Sequence, residues 1–228
     1  MSPRRATIGA AAAVLVAAVL TACSTLISGA PTWPGAKLER VLLKADDFPE
    51  GVDYGRIVEH PGLPDNAGGP SSMLSKPQGC SNGLTDVIAA TAERGPGSAA
   101  KYTVTYDGAR IVMTVLSWKL DLDRLAATAS RCEHFEAFFD PGSEGIPITT
   151  TQLDASRPGQ LVYQQTMQLK GLQDSVFMSF ENIDRMAVFG IAFPTGPLAG
   201  QRQDAPKATL PQTFLDVLSK QANRMQAS

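Results

Sequence analysis

The residues with the most reactive side chains in this sequence are three cysteines, Cys23, Cys80 and Cys132, and two histidines, His60 and His134. A cysteine thiolate can attack an electrophile, bind a metal ion or join a second cysteine in a disulfide. Cys23 lies near the N-terminus, directly after an apolar stretch, whereas Cys80 and Cys132 lie far along the chain. The spacing therefore predicts one chemical role for Cys23 and another for the remaining pair.

The N-terminal stretch has the features of an export signal. Arg4 and Arg5 precede residues 8–20, which are apolar and carry no charge. As a helix, these thirteen residues would span about 20 Å, which is shorter than the roughly 30 Å hydrocarbon core of a bilayer. This length is typical of a signal peptide rather than of a membrane-spanning helix.

The sequence Leu-Thr-Ala-Cys that ends at Cys23 resembles the bacterial lipobox. The resemblance implies that a lipid is attached to the Cys23 sulfur and that the chain is cut between Ala22 and Cys23. Residues 1–22 would then be a lipoprotein signal peptide, and residues 23–36 a lipidated tether. Several acyl chains together anchor a protein stably to a membrane. The alternative is a plain secreted protein in which Cys23 is a spare thiol.

The composition sets limits on the mature protein. Removal of residues 1–22 leaves 206 residues (228 − 22), enough for one domain with a full core, predicted over residues 37–228. The removed segment contains two arginines and no acid, so the mature chain has 18 basic and 22 acidic residues and a formal charge of −4. No basic surface for nucleic acid is expected, and no motif points to a cofactor.

Once Cys23 carries lipid, Cys80 and Cys132 are an even pair in an exported chain, which favours a disulfide. The bond would close a loop of about fifty residues and stabilise the fold by about 4 kcal/mol. The alternatives are two unpaired thiols, or a metal site that also uses His60 or His134. Zinc sites with two cysteines usually place them in a close C-x-x-C pair, which is absent here.

The hydrophobic pattern predicts helices and strands in an order typical of an α+β fold. Helices are predicted at 37–44, 81–92, 121–139 and from 209 onwards. Strands are predicted at 52–59, 102–106, 111–118, 146–153, 161–170, 175–180 and 186–193. Because the strands follow one another in hairpins, we expect a curved antiparallel sheet packed by α-helices, with one disulfide. Two long proline-rich loops are expected at 60–79 and 194–207.

Within this arrangement, the Pro-Gln-Gly-Cys stretch that ends at Cys80 and the Ser-Arg-Cys stretch that ends at Cys132 resemble an uncharacterised domain of mycobacterial and actinobacterial lipoproteins. That domain is in turn similar to the extracellular sensor domain of a mycobacterial receptor Ser/Thr kinase. The resemblance implies a sheet with a groove, a binding or sensing role, and a place on the extracytoplasmic face of the cell membrane. It implies no catalytic residues.

Aromatic residues concentrate in the predicted sheet and give a hypothesis for a ligand site. Trp118 and Tyr163 could line an apolar groove for an envelope lipid, glycolipid or partner protein, with Gln164 and Gln168 as polar anchors. The alternative is that these aromatic residues fill the core. Because Gln164 and Gln168 alternate with the apolar residues of their strand, they could equally lie on a solvated face.

Two other function classes stay open. An envelope hydrolase or transferase would need a nucleophile or carboxylates close to His60 or His134, and no G-x-S-x-G nucleophile motif is present. A purely structural surface lipoprotein would have a closed sheet and no binding surface. The expectation that follows from the sequence is a non-catalytic binding or sensing module held at the membrane through Cys23.

Overall fold

The structure is a computed structural model that describes residues 34–58, 73–91, 97–106, 108–169, 172–195 and 210–227. Trp33–Ser228 forms one compact unit. The predicted cleavage and lipidation residues Ala22 and Cys23 lie outside the described residues, as does His60. So do most of the predicted loops at 60–79 and 194–207.

The described residues form a nine-stranded sheet in the order β1-β3-β4-β9-β8-β7-β6-β5-β2, in which every neighbouring pair is antiparallel. The strands are β1 (Asp53–Ile57), β2 (Leu74–Lys76), β3 (Ala99–Tyr106), β4 (Ala109–Leu116), β5 (His134–Phe138), β6 (Ile146–Gln152), β7 (Leu161–Leu169), β8 (Leu172–Ile183) and β9 (Met186–Pro194). The predicted antiparallel α+β fold is therefore confirmed.

Four α-helices flank the sheet in the described part of the chain. They are α1 (Pro34–Val41), α2 (Gly83–Thr91), α3 (Leu122–Arg131) and α4 (Gln212–Gln226), with a short 3₁₀ turn at Ala45–Asp47. Helix α1 packs on β3, and α4 packs on β4, β8 and β9. Helices α2 and α3 pack against each other and belong to a separate core on the opposite face.

The face that carries α1 and α4 contains the larger core, which includes Tyr102, Ile111 and Phe214 among its fully buried side chains. Helix α4 approaches the sheet most closely at Gly190 of β9. A Cβ atom at that position would lie 2.8 Å from Cε2 of Phe214 and 3.2 Å from Cδ2 of Leu218. Only a residue without a side chain lets the helix lie this close to the strand.

A buried glutamine joins α4 to the segment that follows α1. Gln221 is fully buried, its Oε1 accepts from the Leu43 N–H at 3.1 Å, and its Nε2 donates to the Val41 carbonyl at 2.8 Å. One turn further along, Arg224 forms an ion pair with Asp47 at 2.5 Å. Because a buried backbone group without a partner costs free energy, these contacts fix the first described segment to the C-terminal helix.

Cys80 and Cys132 form a disulfide that lies at one end of both α2 and α3. Both sulfur-bearing side chains are buried, and Phe135 and Ala137 of β5 pack around them. The two helices approach closely near the bond, because a Cβ atom at Gly83 would lie 2.9 Å from the Thr128 methyl group. The predicted disulfide is thus present, and it holds α2 and α3 together.

The helix predicted at 121–139 is wrong in its second half. Helix α3 ends at Arg131, and His134–Phe138 forms β5 between β2 and β6. Phe135 and Ala137 are buried while His134 and Glu136 are exposed, which is the period-2 pattern of a strand. Cys132 therefore lies at the end of the helix rather than on its core-facing stripe, and Phe139 is 70% exposed.

Candidate binding surface

The face that carries α2 and α3 is buried at one end of the strands and becomes more open towards the other. Leu116, Phe180 and Ala187 are buried under the two helices. Further along the same strands, six apolar side chains on this face are only partly buried, and we call them the sheet patch. They are Val112, Met167, Val176, Phe189, Ile191 and Phe193.

Strand register aligns two patch residues with two buried side chains of the same face in one row across four strands. Val112 of β4 is opposite Ile191 of β9, and Ile191 is opposite Met178 of β8. Met178 is in turn opposite Tyr163 of β7. At about 4.8 Å between neighbouring strands, the row is about 14 Å long. Met178 and Tyr163 of this row are buried, but the patch residues themselves extend over the same four strands, from Val112 of β4 to Met167 of β7, which is long enough to contact an extended apolar molecule.

An aromatic ladder connects the sheet patch to the buried end of this face. The ring centroids of Tyr163 and Phe180 are 6.3 Å apart, and those of Phe180 and Phe189 are also 6.3 Å apart. Tyr163 is only 3% exposed, whereas Phe189 is partly buried. The ladder thus runs from the helix-covered core to the open patch.

Two buried polar atoms on this face have no hydrogen-bond partner in the described part of the chain, the hydroxyl of Tyr163 and Nε1 of Trp118. Both side chains pack with the same apolar cluster below α2 and α3. Burial raises the pKa of the Tyr163 hydroxyl, which stays neutral at physiological pH. Buried donors without a partner are the groups that a bound ligand can satisfy, because leaving them unpaired is costly.

The structure separates the four residues that the sequence suggested as ligand contacts. Trp118 and Tyr163 lie with the α2/α3 core, whereas Gln164 and Gln168 alternate onto the opposite face of β7. Gln164 donates from Nε2 to the Ser175 hydroxyl at 3.0 Å, and Gln168 is exposed. The two glutamines therefore cannot act as anchors for a ligand on the sheet patch.

Of the two histidines that the enzyme alternative could use, the structure describes only His134, whose Nδ1 is 3.5 Å from the Thr149 hydroxyl. His134 is 74% exposed, and its nearest acid is its exposed neighbour Glu133 at 3.7 Å. Among the residues that the structure describes, no group of three or more His, Cys, Asp or Glu side chains could hold a metal ion. In the same residues, no helix is both long and apolar enough to cross a membrane.

Sequence reasoning missed most of the sheet patch. Strand β4 is central in the sheet and mostly buried, yet Val112 on it is only partly buried. A usable signal was present in β9, where Phe189, Ile191 and Phe193 alternate with smaller residues. Large apolar side chains on one side of a strand indicate that this face of the sheet contacts another apolar surface.

Comparison with known proteins shows similarity in fold. The chain matches no protein-family description and no curated protein sequence. Its structure is similar to that of an uncharacterised protein from Mycobacterium smegmatis, the Rv0999 ortholog, with a TM-score of 0.44 and 14% identity over 85% of this chain and 95% of that one. It is also similar to the extracellular domain of PknH from Mycobacterium tuberculosis, with a TM-score of 0.45 and 9% identity over 84% of this chain and 93% of that one.

Proposed function

We propose that this chain is a lipid-anchored binding module of the cell envelope. In this proposal Cys23 carries the lipid and holds the domain on the extracytoplasmic face of the membrane. The sheet patch contacts an apolar envelope ligand or a partner protein, and the domain performs no chemical step. The lipobox-like sequence supports the anchor, and the Cys80–Cys132 disulfide supports an oxidising compartment.

The observation that carries the binding role is the sheet patch itself. Many of the sheet's apolar side chains are buried, yet the patch residues remain in partial contact with solvent. Tyr163, in the same row as Val112 and Ile191, is buried with an unpaired hydroxyl. Sites for small molecules are mostly apolar with a few polar groups of this kind.

The anchor is tested by metabolic labelling with a clickable palmitate analogue in cells that make the full chain. We expect the wild-type protein to incorporate the label and a Cys23→Ala variant to incorporate none. Ser24→Ala serves as the control, because it changes the next residue but leaves Cys23 and both disulfide cysteines intact. Equal labelling of wild type and Cys23→Ala would rule out the proposed anchor.

The binding role is tested by thermal unfolding of a chain that begins at Ser24, with and without lipids extracted from the envelope. A ligand at a hundred times its Kd stabilises the native state by about 2.7 kcal/mol, which for a domain of this size raises Tm by about 5–11 °C. We expect this shift to disappear in the Val112→Thr/Ile191→Thr double variant, which keeps the shape of the patch but makes it polar.

The matched control is Val58→Thr, because Val58 is 65% exposed and lies beyond the end of the edge strand β1. This control variant should keep the full ligand-induced rise in Tm. The same variants are then compared for proteins that co-purify with the intact lipoprotein. If the lipid shift is absent and no co-purifying protein depends on Val112 and Ile191, the patch is not a binding surface.

A further inference from the structure

We infer that the occupant of the sheet patch is a single lipid molecule with an anionic headgroup, its acyl chain on the patch and its headgroup at Arg110. This inference rests on the proposed function and specifies the ligand class. Three observations support it: the recessed position of the patch, the position of Arg110 in the strand register, and the lack of a partner for Arg110 among the residues that the structure describes.

The recessed position favours one lipid molecule over the surface of a bilayer. Insertion into a bilayer requires apolar side chains that protrude, and none of the six patch residues is among the most exposed large apolar residues of the described chain. These most exposed residues are Val58, Leu74, Phe139 and Leu172. The patch residues are instead partly buried within the sheet face. Such a surface can cover one acyl chain along its length, which removes apolar area from water on both partners.

Arg110 lies at the border of the sheet patch. It precedes Val112 by two residues on β4, so both side chains lie on the same face, and it is directly opposite Phe193 of β9. Its side chain is exposed. An acyl chain that follows the patch would therefore place its headgroup beside a guanidinium group.

The Arg110 guanidinium has no hydrogen bond or ion pair with any other residue that the structure describes. Asp53 lies in the same row but two strands away, because Arg110 is opposite Thr105 and Thr105 is opposite Asp53. Asp174, near the other side of the patch, accepts a hydrogen bond from the backbone of Ser175. An arginine that is free in this way can bind a carboxylate or phosphate through two parallel hydrogen bonds.

The test measures the affinity of the chain that begins at Ser24 for two probes with the same alkyl length, palmitate and 1-hexadecanol, below their aggregation concentrations. A charge-assisted hydrogen bond to a carboxylate is about twice as strong as a neutral one, so we expect wild type to bind palmitate about five to ten times more tightly than hexadecanol. Arg110→Gln should abolish this preference, and Arg110→Lys should keep part of it.

The matched control is Arg185→Gln, which removes the same charge at the exposed turn between β8 and β9. It should leave the preference unchanged. Equal affinity for both probes, lost in Val112→Thr/Ile191→Thr, would overturn the headgroup assignment while leaving the binding role intact. A palmitate preference that survives Arg110→Gln would also overturn it.

Failure of both probes to bind would overturn the lipid assignment altogether. Sedimentation velocity on the same samples then shows whether Val112 and Ile191 instead support self-association of the chain. The proposed function fails separately, and only if the extracted-lipid and co-purification tests also show no dependence on the patch.

Discussion

The disulfide between Cys80 and Cys132 gives the sharpest prediction of stability. Its two cysteines are 52 positions apart, so the bond closes a loop of 53 residues (52 + 1) in the unfolded chain. Loop-closure entropy for this length is about 14 cal/mol/K, or about 4 kcal/mol at 25 °C. We therefore expect reduction of the wild-type bond to lower the free energy of unfolding by about 4 kcal/mol.

The Cys80→Ala/Cys132→Ala variant should lose about 2 kcal/mol more, because it also removes two buried sulfur atoms that pack against Phe135 and Ala137. Each lost heavy atom costs roughly 1 kcal/mol in a core of this kind. The assay is urea unfolding of the chain that begins at Ser24, followed by circular dichroism, for the oxidised, reduced and doubly substituted proteins. If reduction of the Cys80–Cys132 disulfide lowers the free energy of unfolding by less than about 1 kcal/mol, the bond does not act as a restraint on α2 and α3.

Three further predictions follow from the packing on the other face. Gly190→Ala should cost about 1–3 kcal/mol in urea unfolding, because its Cβ would overlap the Phe214 ring, and Phe214→Leu in the same chain should recover part of the loss. Gln221→Leu should cost about 2–5 kcal/mol by leaving two buried backbone groups unpaired, whereas Gln226→Leu on the exposed side of α4 should cost little. Burial raises the pKa of Tyr102 above that of a free tyrosine, so above pH 10 the unfolded chain releases this proton first. The free energy of unfolding should then fall by up to about 1.4 kcal/mol per pH unit, and Tyr102→Phe should reduce that fall.

Much of the sheet could be predicted from local pattern alone. The strand at 161–170 alternates over most of its length, with Leu161, Tyr163 and Met167 on one side and Gln164, Thr166 and Gln168 on the other, and it forms β7 in that register. The Asp-Gly pair at 107–108 is itself a hairpin signal between two strand patterns, and Gly108 has the positive φ of 73° that such a turn requires. Where the hydrophobic alternation and the turn residues predict the same element, the local sequence is enough to determine it.

The parts that could not be predicted depend on contacts between distant segments. The residues of β5 match a helical stripe as well as an alternating strand, and pairing with β6 and the short β2 decides in favour of the strand. The sheet patch consists of the side chains on this face that the helices leave partly uncovered. Which side chains these are depends on the positions of α2 and α3, which the disulfide links. Tyr163 was identified as a candidate from its sequence, but its unpaired hydroxyl is visible only in the folded chain.

The most direct test of the central claim is photocrosslinking of the full chain in intact envelopes. A photoreactive benzoylphenylalanine replaces Phe193 in the sheet patch, and a control chain carries it in place of the exposed Phe139. After irradiation, the intact mass of the purified protein is measured. A defined mass increase, of a lipid or of one partner protein, is expected at position 193 and not at position 139. No adduct at 193, or the same adducts at both positions, would contradict a binding role for the patch.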